Sequence, residues 1–290
     1  MSAISEILEK RAGIVKAVRA FFDSRGFTEV ETAVRIPAPA PEPYIDCPPV
    51  STGWYLRASP ELQMKKLLAA GMEKIYQIGP CFRDGEKGSR HNPEFTMLEW
   101  YRRGAGYQAI RRDTEELVKG LFAAEGVGET VFKSVGVREI YQSAAGWDPW
   151  TEWDADRFDF DMAVKVEPAL REMGGGVFLM DYPVEAASLA VISAPDEDGF
   201  RHAERWEFYY DGVELANCFT ELCDSAEQRA RFVDAKAKRL ELGESDYPLD
   251  SGFFDCLEKI GSAAGVALGI DRLVMALTGE KEISAIRAEI

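Results

Sequence analysis

Three short stretches hold the residues that could do chemistry. In the first, Arg83 follows an apolar run from Ile75 to Phe82 and opens a loop of glycines and charges that carries Asp84, Gly85, Glu86, His91 and Asn92. A guanidinium at the mouth of such a loop can grip phosphate or carboxylate oxygens in a bidentate way and stabilise negative charge that builds on them. The second stretch, Trp206 to Leu222, holds Glu214, with Leu215 beside it, and Glu221 seven residues on. Paired carboxylates suit magnesium, a hard cation that prefers oxygen ligands and bridges phosphates. The third is Gly265-Val-Ala-Leu-Gly-Ile-Asp-Arg-Leu-Val-Met275. Here Gly269 allows a close backbone approach to a flat base or sugar, and Arg272 can clamp a terminal phosphate. No GxxxxGK[ST] run occurs, so a Walker loop is not the phosphate device.

Elements must position these groups. The segment after the loop alternates like a strand, with Phe95, Met97, Glu99 and Tyr101 on one face and Thr96, Leu98 and Trp100 on the other. Two strands joined by a flexible cationic loop can lay a nucleotide across a sheet. Asp211-Gly212 is a hairpin turn signal. The odd separation of Glu214 and Glu221 puts them on opposite faces of a regular strand, so a bulge near Ala216-Asn217 is needed to bring both to one side. The stretch ending at Leu268 reads as an apolar strand running straight into a helix, with Arg272 in its first turn. Helices are expected over Ser5–Ser24, over Tyr107–Ala124 and around Asp156–Met173, from apolar residues at helical spacing or from flanking stops. Phe27–Thr32, Trp54–Ala58 and Val177–Tyr182 read as strands. Ser59 is placed as a helix N-cap, with Pro60 at the first helical position, Glu61 in the first turn and Gly71 as the stop. Pro37–Pro49, with six of the fourteen prolines, reads as a stiff surface connector, and Asp224–Leu242 as a polar, solvated helix. The acidic string Asp154, Asp156, Asp159 and Asp161 lacks the Gly and terminal Glu of a calcium loop and reads as a solvated face.

Composition narrows the class. The chain has 290 residues, 46% hydrophobic and 29% charged, with a formal net charge of −16. That is an ordinary globular composition. The negative charge disfavours a generic nucleic-acid surface, so a tRNA partner is not expected. No apolar run nears the roughly 20 residues that span a bilayer, and Met1–Arg11 lacks the pattern of a signal peptide. Five scattered cysteines without a CxxC pair read as cytosolic thiols. A cytoplasmic protein with no membrane association is the expectation.

The segment Phe82–Arg102 resembles motif 2 of class II aminoacyl-tRNA synthetases, and its Arg90-His-Asn-Pro-Glu-Phe-Thr-Met97 run is similar to the lysyl subgroup. Gly-Ile-Asp-Arg-Leu at 269–273 resembles motif 3. The first helix and strand resemble the dimer-forming motif 1, although Glu31-Thr32 is followed by Ala33 rather than by that motif's usual proline. The resemblance implies an α+β fold: a class II synthetase catalytic core, an antiparallel sheet flanked by helices, over residues 1–290, with about 130–176 as a variable insertion and no N-terminal anticodon-binding barrel. Ser59, where lysyl enzymes have Ala, and Ala267, where they have Gly, are similar to the elongation factor P lysine ligases. The resemblance also implies ATP and Mg2+, with Arg83 on the α-phosphate, Arg272 on the γ-phosphate, and Asp84, Gly85, Glu86, His91, Asn92, Glu214, Leu215 and Gly269 around the nucleotide. A Glu usually stands two positions after the motif 2 arginine; here that place is Gly85, and Glu86 takes the assignment. Glu214 and Glu221 are assigned to magnesium, with an alternative division in which Glu221 binds the substrate ammonium. Ser59, Pro60, Glu61, Tyr101, Glu221 and Ala267 then form a polar, acidic pocket for lysine or (R)-β-lysine. The resemblance further implies elongation factor P as the protein partner and a homodimer. The competing reading is a truncated lysyl-tRNA synthetase that still charges tRNA.

Overall fold

The computed structural model describes residues 3–128 and 130–288. In chain order, helix α1 (Ala3–Asp23) precedes short strands β1 (Thr28–Glu29), β2 (Arg35–Ile36), β3 (Pro49–Ser51) and β4 (Trp54–Leu56). Helix α2 (Glu61–Ala69) leads to the long strands β5 (Lys74–Phe82) and β6 (Glu94–Arg103), and then to helix α3 (Tyr107–Ala124). Strand β7 (Phe132–Gly136) is followed by helices α4 (Val137–Ile140), α5 (Ala155–Asp161) and α6 (Glu167–Met173). Strands β8 (Gly176–Tyr182), β9 (Ala203–Tyr210) and β10 (Val213–Thr220) come next, then helices α7 (Ser225–Glu241) and α8 (Ser251–Leu257). Strand β11 (Ala263–Gly269) runs directly into α9 (Ile270–Thr278).

Eight of these strands make the main sheet, and β2, β4 and β3 make a small antiparallel one. The chain packs as two compact units. The first comprises the chain up to Gly104, Leu222–Ala263, and Ala267 onward. In it, β5 and β6 pair antiparallel over nine positions, from Lys74↔Arg102 to Phe82↔Glu94, while β1 joins β5 in parallel. The face of β6 that carries Thr96 and Trp100 is covered by α1: Arg11 donates to Thr96, and Phe22 packs on Trp100 with ring centres 5.2 Å apart. Phe22 also stacks on Tyr76 at 4.6 Å and meets Phe27 at 5.0 Å, which makes it the hub of this core. The opposite face of β6 keeps Glu99 and Tyr101, as the alternation requires.

The second unit spans Ala105–Glu221, with Ala264–Val266 of β11. Strands β8, β9 and β10 form antiparallel neighbours, closed at one end by the parallel pair β7–β8. The expected antiparallel sheet is therefore antiparallel along its long ladders and parallel at the β1–β5 and β7–β8 pairs. One side packs on α3, whose Ile110, Leu117, Val118, Leu121 and Phe122 are buried. The other receives residues 137–173, whose Tyr141, Phe158, Val166 and Leu170 share a core with Val177, Leu179 and Tyr209 of the strands. The segment 137–173 is thus a buttress of the sheet. Its acidic string is exposed at Asp154, Asp156 and Asp159, but Asp161 is buried and accepts from Trp147 Nε1 at 2.9 Å, so only part of that string is a solvated face.

Candidate active site

Within the first unit, β5 and β6 hold the motif 2 loop between them. The Arg83 N–H donates to the Pro93 carbonyl at 2.9 Å, and its guanidinium lies 3.5 Å from Glu86 and over the Phe95 ring. Glu86 therefore reaches Arg83 from a loop that Gly85, at φ +76°, lets turn. The far end of the loop meets α9: Arg272 Nη2 lies 2.6 Å from His91 Nε2. Partial burial, then the Arg272 charge, holds the imidazole below its ordinary pKa, so His91 is a neutral acceptor for the arginine. His91 shapes the loop and aims Arg272 in one contact. Asp271, buried beside it, accepts from the Thr96 N–H at 2.7 Å and pairs with Arg11 at 2.8 Å, fixing α9 on β6.

The pocket face of β6 carries a buried acid. Glu99 accepts a hydrogen bond from Ser59 Oγ at 2.6 Å and another from the Tyr101 hydroxyl at 2.9 Å. Burial, with the nearby Glu61 charge next, pushes its carboxyl up to about 7 against the opposing pull of those hydroxyls. Ser59 does two jobs, since its hydroxyl also accepts the Glu61 N–H at 3.0 Å, although the N-cap position of α2 is Pro60, so Ser59 stands one residue before the cap expected of it. Glu61 itself is paired with Lys65, one helical turn on, at 2.6 Å, and the Lys65 side chain is fully buried. The cleft beside these groups is lined by Ser59, Glu61 and Leu62 and by residues of the proline-rich stretch. Ala267 and Gly269 are half-buried at the end of β11.

In the second unit, Asp211 and Gly212 both adopt positive φ, which closes the expected two-residue hairpin between β9 and β10. The ladder pairs Glu214 with Tyr209 and then Ala216 with Phe208, so the bulge sits at buried Leu215, just before the expected place. Paired residues share a face, and the extra residue changes the parity. Glu214, Asn217 and Phe219 thus face the same side, and continuing the alternation adds Glu221. Glu221 itself lies just past the end of β10, buried and bridged to Ala190. Glu207, opposite Asn217 on β9, lies diagonal to Glu214 across the ladder. It is held by Arg205 at 2.5 Å and by the Tyr209 hydroxyl at 2.7 Å, while Arg205 also donates to Asn217 at 3.2 Å.

A family model described as tRNA synthetases class II (D, K and N) matches residues 1–288. The chain is 37% identical over 308 aligned positions to the elongation factor P–(R)-β-lysine ligase of Vibrio cholerae, an alignment covering 97% of this chain and 94% of that protein. The chain belongs to this ligase family. The proteins of the same name from Proteus mirabilis and Photorhabdus laumondii are 36% and 37% identical, each covering 99% of this chain and 95% of the relative.

Within that family frame, Arg83, Glu86, His91 and Arg272 converge in the first unit, as do Ser59, Glu61, Glu99 and Tyr101. Asp84, Gly85 and Asn92 lie along the same loop, and Leu215 is the buried residue at the bulge of β10. Sequence reasoning did not bring Glu207 and Asn217 together, since their positions opposite each other depend on strand register. It also missed the Glu61–Lys65 pair, which the i, i+4 spacing on α2 could have revealed.

Proposed function

We propose that this chain activates lysine or (R)-β-lysine with ATP and transfers it to a lysine side chain of elongation factor P, in the cytoplasm and as a homodimer through the motif 1 helix and strand. The observation that carries the reading is the buried Glu99, gripped by Ser59 and Tyr101, in a chain related over nearly its whole length to ligases of that name. A carboxyl poised near neutrality in an enclosed site gains most by meeting a cation, which is what the side-chain ammonium of a lysine offers.

In the first step the amino-acid carboxylate attacks the ATP α-phosphorus, and the bond to the β-phosphate oxygen breaks with release of pyrophosphate. Arg83 stabilises the charge gathered on the α-phosphate. Arg272, aimed by neutral His91, holds the γ-phosphate. Glu214 and Glu221 would hold magnesium, two hard oxygen donors for a hard cation that would supply neutralisation of phosphate charge. In the alternative division Glu221 binds the substrate ammonium, and Asn217, on the same face, serves the substrate's polar groups. In the second step the acceptor amine attacks the adenylate carbonyl, AMP departs, and an amide forms with loss of the amine proton. Ala267 places a methyl group where it narrows the room for an α-amino group and so favours the β-amino acid.

The test is the intact mass of elongation factor P after incubation with the protein, ATP, magnesium and either amino acid, beside a tube holding tRNA-Lys. A gain of one lysyl group with uncharged tRNA is expected. Charged tRNA and unmodified factor would overturn the reading in favour of a minimal synthetase.

A further inference from the structure

The proline-rich stretch is a wall of the cleft rather than a surface connector. Ile36, Pro39, Ile45 and Cys47 line the cleft opposite Ser59 and Glu61. Prolines lack N–H donors, so a segment this rich in them cannot tie itself down through a ladder and must be held by its carbonyls. A guanidinium, with five donors in a fixed fork, is suited to that task.

That guanidinium comes from α7, the helix expected to be solvated. Arg239 is 1% exposed. It donates to the carbonyls of Glu42 at 2.6 Å and Ile45 at 2.7 Å, to the Asp46 carboxylate at 2.8 Å, and to the Ser245 carbonyl at 3.1 Å. Tyr247, fully buried, donates its hydroxyl to the same carboxylate and accepts the Cys47 N–H at 2.7 Å. The Asp46 carbonyl accepts the Asp84 N–H at 2.8 Å, one residue past Arg83. One buried cation therefore orders both the cleft wall and the root of the Arg83 loop.

We propose that Arg239, acting through Asp46 and Tyr247, is a positioning residue for amino-acid activation: it sets the width of the cleft beside Glu61 and the departure point of the Arg83 loop. The inference rests on the reading of Ser59 and Glu61, which line that cleft, as amino-acid contacts and of Arg83 as an ATP contact. Misplacing a reacting group by about 1 Å costs on the order of 100-fold in rate, so a loosened wall has a kinetic signature.

The experiment measures amino-acid-dependent pyrophosphate exchange for Arg239→Lys and Tyr247→Phe, with kcat and KM resolved and urea midpoints measured alongside. Arg239→Lys keeps the charge and loses the fork; its amino-acid KM should rise about tenfold or more, with a fall in kcat and a changed ratio of α-lysine to (R)-β-lysine use. Tyr247→Phe should move the same parameters less. Phe232→Leu, on the same helix but packed against Phe253 and Phe254, should lower the urea midpoint and leave KM and the substrate ratio in place. Wild-type KM, kcat and substrate ratio in Arg239→Lys would overturn the proposal, as would the same kinetic change in Phe232→Leu. Should Arg239→Lys not fold, an unchanged KM in Tyr247→Phe overturns it alone. Arg83→Ala, run in parallel, separates the two assignments: normal exchange there removes Arg83 from the chemistry, while an effect of Arg239 on amino-acid KM stands on the cleft wall.

Discussion

Replacing Glu99 with Gln should remove a pH dependence from both stability and substrate affinity. Glu99 is 1% exposed, and its carboxyl is raised from 4.5 to about 7, chiefly by burial and then by Glu61. A tenfold change in proton affinity corresponds to about 1.4 kcal/mol, so ionising Glu99 in the ligand-free folded chain costs about 3 kcal/mol relative to the unfolded chain. The folded state holds this proton more tightly than the unfolded state. Its stabilising contribution is therefore complete below pH 4.5 and lost as pH rises through about 7. Because the chain's pI is near 4.7, urea unfolding is best compared between about pH 5.5 and 8, where about 2 kcal/mol of the change is readable. Glu99→Gln cannot ionise, and so should gain about that much on the wild type across the interval. With substrate the sign reverses, because a bound ammonium favours the ionised form. Wild-type KM for the amino acid should fall as pH rises through about 7, and Glu99→Gln should lose this step with KM raised about 100-fold, the loss of roughly 3 kcal/mol of charged hydrogen bonding. Pyrophosphate exchange across the pH range reads the second effect. Stability curves that stay parallel with pH, or a variant that retains the KM step, would refute the account of Glu99.

Arg83→Ala should abolish adenylate formation while far- and near-UV circular dichroism stay native; near-normal pyrophosphate exchange would sink the assignment. Ala267→Gly should raise the use of α-lysine relative to (R)-β-lysine by about tenfold, the scale on which one methyl in a pocket discriminates, and an unchanged ratio would remove this residue from specificity. Phe22→Ala, which empties the hub between α1, Tyr76 and Trp100, should cost about 3–5 kcal/mol in urea unfolding; a loss below about 1 kcal/mol would mean that α1 contributes little to that core.

What the sequence determined by itself was local. The apolar spacing of Tyr107–Ala124 specifies a helix with those same ends, because side chains three and four apart must share a face. The alternation from Phe95 to Tyr101 puts Glu99 and Tyr101 together, and Asp211-Gly212 closes its hairpin, because period two and positive φ are written in neighbouring residues. Arg83 and Arg272 were legible by type and motif, and the structure adds His91 as the contact between their elements. Register and distant burial were decided only by the fold. The bulge at Leu215 places Glu214 and Asn217 on one side, and pairing with β9 supplies Glu207, since cross-strand neighbours depend on which residues face each other rather than on spacing. The proline-rich stretch and α7 each read as surface when taken alone. Arg239 and Glu42, 197 residues apart, show why: their polar groups find partners in each other, and no local pattern marks a carbonyl or a guanidinium for burial until the chain brings them together.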